Sequence, residues 1–337
     1  IFFLIHAHWY QLFVHFFQLP AAVDVYFAGQ AEATRHEVMV NERVQEFRFP
    51  ANTTPALIVF DAEHSILGTW NDNKTHEQFA YQLQHAPRFV DRYQAINSLN
   101  PEAENFVALL EVGLKDPFYG IRAAALNQLP ADNWPEETTK LVTKIAQTDE
   151  HSEVRSIALL ILAEVNYPGI LDLAQEALKA EPYPVVSAGL DILYMSDSAL
   201  ALAAAKDLDQ ETNADIVEVI GAIYAETGDA QYLPYFTKNL ENLDTYGAVG
   251  FYESYGDLLL QIKGDELVAG VASMKRIGVD QGQSPWRRLS SIKTLSEIAS
   301  ELSEETDADL ISEIQDAIDA IKAAETIPQL RGIYRQF

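Results

Sequence analysis

Between residues 18 and 67 apolar and polar side chains alternate with a period of two. Val23, Val25 and Phe27 alternate with Asp24 and Tyr26, and His36, Val38 and Val40 with Glu37, Met39 and Asn41. Phe47 and Phe49 alternate with Glu46 and Arg48, and Leu57 to Phe60 is a short apolar run ended by Asp61. This period predicts half-buried antiparallel strands. Gly29 and Asn52-Thr53-Thr54-Pro55 supply the turns between them. The prediction is a small antiparallel β-sandwich over residues 1–74, incomplete at its N-terminus.

Near residue 70 the period changes. Trp70-Asn71-Asp72-Asn73-Lys74 is polar and turn-like, and Thr75 stands three residues before Gln78, the spacing of a capping box. From residue 75 to 337 the pattern predicts helix after helix. Asp116-Pro117 and Ser284-Pro285 each offer an N-cap followed by Pro at the first helical position. Gly228, Gly264 and Gly282 fall where helices should stop.

The helical part repeats. Asp91-Arg92-x-x-Ala95-x-x-x-Leu99 recurs as Ile121-Arg122-x-x-Ala125-x-x-x-Leu129 and as Val154-Arg155-x-x-Ala158-x-x-x-Leu162. Weaker copies are Val185-Val186-x-x-Gly189-x-x-x-Leu193 and Arg287-Arg288-x-x-Ser291-x-x-x-Leu295. The first four are spaced by 30, 33 and 31 residues. Two helices per unit at that period predict a HEAT/ARM-like α-helical solenoid. The small residue lets neighbouring helices approach, and Arg92, Arg122 and Arg155 are assigned a structural role at the repeat junctions. Between about 200 and 280 the repeat is blurred, and the sequence predicts helical character alone.

Charge narrows the functional classes. The 337 residues carry 23 Lys and Arg against 50 Asp and Glu, a net −27, of which residues 1–75 hold only −4. Nucleic-acid binding needs clustered cations to displace counterions, and so does docking on anionic membranes. Neither partner is expected. The acidity is read as a solvated outer surface, with an acidic groove for cationic partners as the alternative. With no cysteine there is no disulfide framework, thiolate nucleophile or Cys-type zinc site. The apolar run Ile1 to Phe17 is interrupted by His6, His8, Gln11 and His15, which fits neither a signal peptide nor a membrane span. The chain, beginning at Ile1, is expected to be a soluble piece of something larger, periplasmic or cytoplasmic.

The chemistry-bearing motifs are mostly missing. His36-Glu37 and His76-Glu77 would open a His-Glu-x-x-His zinc helix, but the fifth positions are Val40 and Ala80. His6 and His8, two apart on a strand, would point to one side and are the one weak metal candidate, with no third ligand in view. Asp207-x-Asp209-x-Glu211 starts like a calcium loop but has Thr212 where Gly is required. No nucleophile elbow, phosphate loop or dinucleotide fingerprint occurs. No catalytic and no cofactor-binding residue is assigned.

Several strings together resemble a known family. They are Phe17 to Tyr26, Arg35-His36-Glu37-Val38, Val44 to Pro50, Pro55 to Asp61, Asn73-Lys74-Thr75, Gln82, Ala86-Pro87-Arg88-Phe89, Asp91 to Ala95, and Asp116 to Arg122. Over residues 17–200 the chain resembles the C-terminal half of bacterial M1-family zinc aminopeptidases. Beyond that, only helical character and Leu330-Arg331-x-Ile333-Tyr334 remain. The resemblance implies a β-sandwich followed by a helical repeat domain that arches over a catalytic domain of the same polypeptide. It implies a chamber that limits access to peptide substrates, and N-terminal cleavage by zinc-activated water in the parent enzyme. The family's Gly-x-Met-Glu-Asn loop and His-Glu-x-x-His helix are absent, so no zinc or catalytic residue carries over and this chain alone is not expected to be an enzyme. The alternative is a free-standing HEAT-repeat scaffold that binds a protein partner on its concave face.

Overall fold

The computed structural model describes residues 2–8 (as backbone), 18–30, 32–42, 44–67, 72–244 and 246–337. His15, Trp70, Asn71 and most of the apolar opening run lie outside the described residues. The described chain is mainly helical, with a small antiparallel β part at its start. It divides into two compact units, Ile1–Leu141 and Val142–Phe337.

In the first unit the strands fall into two sheets. β1 (Phe2–His8) pairs antiparallel with β4 (Val44–Pro50), Ile5 opposite Phe47. β2 (Leu19–Tyr26) lies between β3 (Thr34–Val40) and β5 (Leu57–Phe60), Val23 facing His36 on one side and Phe60 on the other. β2 departs from the half-buried expectation, since every residue from Ala21 to Tyr26 is buried. Asp24 tolerates this because Arg35 forks onto it, Nε to Oδ1 at 2.7 Å and Nη2 to Oδ2 at 2.8 Å. Ala22, Tyr26, Leu57, Val59 and Ala62 form a core against which Tyr81 packs.

Four helices follow, α1 (His76–His85), α2 (Phe89–Ile96), α3 (Phe106–Gly113) and α4 (Tyr119–Leu126). α1 starts on the predicted box: Thr75 Oγ1 accepts from the Gln78 N–H, and the Gln78 side chain accepts from the Thr75 N–H at 2.9 Å. The Asp116-Pro117 expectation needs correction. α4 begins at Tyr119 with Phe118 as its cap. Asp116 lies further back, where Oδ1 accepts from the Phe118 N–H at 2.8 Å and closes a turn ahead of the helix. α5 (Glu136–Thr148) runs across the division between the units.

The second unit holds α6 (Ser152–Glu164), α7 (Ile170–Ala177), α8 (Tyr183–Ser196), α9 (Ser198–Asp207), α10 (Ala214–Glu226) and α11 (Leu233–Asn239). It continues with α12 (Ala248–Ile262), α13 (Gly264–Val279), α14 (Pro285–Glu301), α15 (Ala308–Ala324) and α16 (Pro328–Ile333). Ser284 caps α14 as predicted, its hydroxyl accepting from the Arg287 N–H at 3.3 Å with Pro285 next. Even-numbered helices pack side by side, α6 on α8, α8 on α10, α10 on α12 and α12 on α14, while α13 packs on α15. This is a solenoid-like layering. The small residues of the repeat, Ala95, Ala125, Ala158 and Ser291, are all fully buried at such contacts. The repeat blurs where aromatics take over the packing. Phe236 stacks on Tyr255 at 5.4 Å and lies 5.0 Å from Phe251, and Tyr224 stacks on Tyr232 at 4.0 Å.

Candidate functional site

The junction arginines share one geometry. Each sits in the first turns of an even-numbered helix and turns back to the carbonyl six residues earlier, and Arg92 and Arg122 also reach the one five residues earlier. Arg92 Nη1 donates to the Ala86 and Pro87 carbonyls at 3.0 and 2.8 Å. Arg122 Nη1 donates to those of Asp116 and Pro117 at 2.9 and 3.2 Å, and Arg155 Nη1 to that of Asp149 at 2.7 Å. Arg92 also forks onto Asp116, Nε to Oδ2 at 2.6 Å and Nη2 to Oδ1 at 3.1 Å. Arg288 and Arg331 do the same work. Arg288 Nη1 reaches the Gln283 carbonyl at 2.5 Å, and Arg331 Nε that of Glu325 at 2.6 Å. These contacts orient the turns that precede the helices.

The histidine pair lies on β1, where His6 is opposite Glu46 and His8 opposite Val44. Their side chains lie outside the described residues. Among the described residues no three His, Asp or Glu are grouped to hold a metal ion, and no helix is long and apolar enough to cross a membrane.

The second unit carries a groove across α8, α10, α12 and α14. It has two segments, of 470 and 670 Å³, which share Tyr194, Ala222, Glu253, Ser254 and Asp257. Asp191 comes from α8, and Asp215, Glu218 and Glu226 come from α10. Glu253 and Asp257 come from α12, and Glu297 and Glu301 from α14. No Lys or Arg lines either segment. Lys293 reaches in from α14 and is taken by Glu253 and Glu297. Among the described residues Asp191, Glu218 and Asp257 have no cationic partner.

Electrostatics follow from that crowding. Burial, reinforced by the Asp215 charge, pushes the Asp191 carboxyl up to about 6. Burial also raises Glu218, helped by Asp215, Asp191 and Glu253. Asp257 is raised by burial and then by Glu253 and Glu301. Carboxylates held this way gain from any positive charge placed among them. The arrangement is therefore suited to hold a cationic ligand, and its carboxylates are too dispersed to chelate one ion.

The sequence left these residues unassigned because carboxylates are plentiful throughout the chain. A signal was present. Asp215 with Glu218, Glu253 with Asp257, and Glu297 with Glu301 are like charges three or four apart, which place repulsion on one helix face.

No protein-family model matches this chain, and no curated protein does. Among solved structures it is similar to Legionella pneumophila aminopeptidase A, crystallised in complex with aspartic acid, at 12% identity with a TM-score of 0.46. The match covers 90% of this chain and 45% of that one, so the chain spans less than half of that protein's length.

Proposed function

We propose that this chain is the non-catalytic C-terminal part of an M1-type zinc aminopeptidase, built from a β-sandwich and a HEAT-like domain. It encloses the active-site chamber of a catalytic domain on the same polypeptide and limits which peptides reach it. The parent enzyme then removes N-terminal residues from those peptides. One observation carries the reading. Among the described residues the buried polar ones of the first unit are Asp24, Asp61, Gln82, Asp91, Asp116, Arg122 and Thr138, and all but Thr138 stand inside the strings that resemble that family. Burying a polar group costs stability unless it is paired, so the residues of these strings that are buried hold the first unit's strands and turns in place. Asp24 holds Arg35, Gln82 Nε2 donates to the Asp91 carbonyl at 2.7 Å, and Asp116 holds Arg92. The exposed aromatics Phe89, Tyr93 and Tyr119 give the first unit a face suited to contact with another domain.

In this reading zinc belongs to the catalytic domain, where it activates the attacking water. The described residues of this chain do not fit a zinc site, so no step is routed through them. The test is the intact mass and zinc content of the native product on one sample. A mass far above 37.6 kDa with about one zinc per chain and hydrolysis of an aminoacyl-anilide is expected. A zinc-free product of 37.6 kDa overturns the reading and leaves the free-standing scaffold.

A further inference from the structure

The groove of the second unit is arranged against its own stability. Three neighbouring helices each place like charges one turn apart on it, and the repulsion reaches from helix to helix, since Asp191, Asp215 and Glu253 all bear on Glu218. Gly250 brings the charges closer. A Cβ there would collide with Glu218 Oε1, so the carboxylate lies directly against the α12 backbone.

A second observation is independent of charge. Thr294 lines the larger segment, is 1% exposed, and its hydroxyl has no hydrogen-bond partner. Its neighbours on α14 return theirs to the helix, Ser290 Oγ to the Trp286 carbonyl at 2.8 Å and Ser291 Oγ to that of Arg287 at 2.9 Å. Gly256 makes room for Thr294, because a Cβ there would lie 2.6 Å from Thr294 Cγ2. A buried hydroxyl without a partner is unfavourable unless a ligand supplies one.

We infer that this groove binds an extended peptide segment bearing Lys or Arg side chains. A single metal ion does not fit, because no three carboxylates converge among the described residues. Separated positive charges do. Packed helices lie about 8–10 Å apart, and three residues of a chain in the extended polyproline II conformation advance about 9 Å and complete one turn, so every third side chain faces the same way. Basic side chains at every third position would therefore meet the carboxylates of successive helices. A peptide also carries amides, and the Thr294 hydroxyl can donate to or accept from one. Leu260 and Ile298 line the same segment and receive the aliphatic stems of Lys or Arg. The groove lies inside the second unit, so the inference holds for an aminopeptidase part and for a free scaffold alike.

The test uses the full chain and a labelled peptide of about twelve residues with Lys at every third position, read by fluorescence anisotropy in low salt. The triple variant Asp191→Asn, Glu218→Gln, Asp257→Asn should weaken binding by about tenfold. A control triple, Glu305→Gln, Glu313→Gln, Asp316→Asn, removes the same charge from exposed positions at and before α15 and should change it by less than about twofold. Thr294→Val should weaken the peptide by about threefold, leave competing spermine unchanged, and preserve the thermal melt. No binding by the parent chain, or equal losses in the two triples, would overturn the inference. So would a Thr294→Val variant that binds the peptide as the parent does, since the groove would then read charge alone.

Discussion

Arg288 and Glu325 close on each other in the interior of the second unit, Nε to Oε2 at 3.1 Å and Nη2 to Oε1 at 3.2 Å, with side chains 3% and 1% exposed. Glu325 then ties down its own turn, Oε1 accepting from the Thr326 and Ile327 N–H groups at 2.8 Å each. The first unit repeats the device. Asp116 takes Arg92 on its carboxylate and Arg122 on its carbonyl, as Glu325 takes Arg288 on its carboxylate and Arg331 on its carbonyl. Burial pushes the Glu325 carboxyl up, but the Ile327 N–H and the Arg288 guanidinium outweigh it, and the carboxyl lies below its ordinary value of 4.5.

The pair therefore stabilises the fold above the ordinary glutamate range, and that stability is lost as pH falls below it. Arg288→Met removes the cation and leaves the carboxylate buried. It should cost about 3–5 kcal/mol at neutral pH and much less once Glu325 is protonated. Urea unfolding of both proteins at pH 7 and pH 4 checks this, and an equal cost at the two values would refute the ion-pair account.

Arg122 offers a milder case. It is 7% exposed and holds two turn carbonyls through Nη1. Arg122→Ala should cost about 2–3 kcal/mol, the range for buried hydrogen bonds to a charged group. Lys206 is exposed at the end of α9, and Lys206→Ala should cost less than about 0.5 kcal/mol. Equal melting temperatures for the two variants would sink the junction role.

Thr75 tests the start of the helical part. Its hydroxyl and the Gln78 side chain satisfy two N–H groups that α1 would otherwise leave open. Thr75→Ala should lower stability by about 1 kcal/mol and Thr75→Ser by far less. Denaturant midpoints of the two variants separate a cap from simple methyl packing.

What the sequence disclosed divides by the range of the interaction. Period-two alternation located β2, β3 and β4, the apolar run before Asp61 located β5, the box at Thr75 located α1, and Ser284-Pro285 located the start of α14, because each is a local signal. The correspondence between Asp116 and Glu325 was hidden. One is Asp before Pro and the other Glu two residues further from Pro, and the likeness appears only when their arginines are placed. The blurred stretch from 200 to 280 has the same cause, since rings of Tyr224, Phe236 and Phe251 replace the Ala and Leu spacing. The groove needed the fold as well. Asp191 and Glu218 are 27 positions apart in the chain, and only the packing of α8 on α10 brings their charges to bear on each other.

Asp191 gives the opposite sign to Glu325. Its carboxyl is raised from 3.8 to about 6, first by burial and then by Asp215, with Glu218 also facing it from α10. Between those values the native chain binds a proton that the unfolded chain has released, so stability falls as pH rises through this window. Above pH 6 the charged native carboxylate is a standing penalty. Asp191→Asn removes it, and should raise stability by about 1–2 kcal/mol at pH 8 after allowance for solvent screening. By pH 4 most of that gain should vanish, because the native carboxyl is already protonated there. Unfolding curves at the two pH values decide the matter. A gain that is the same at pH 4 and pH 8 would mean that the substitution acts through packing and that the groove charges do not repel as described.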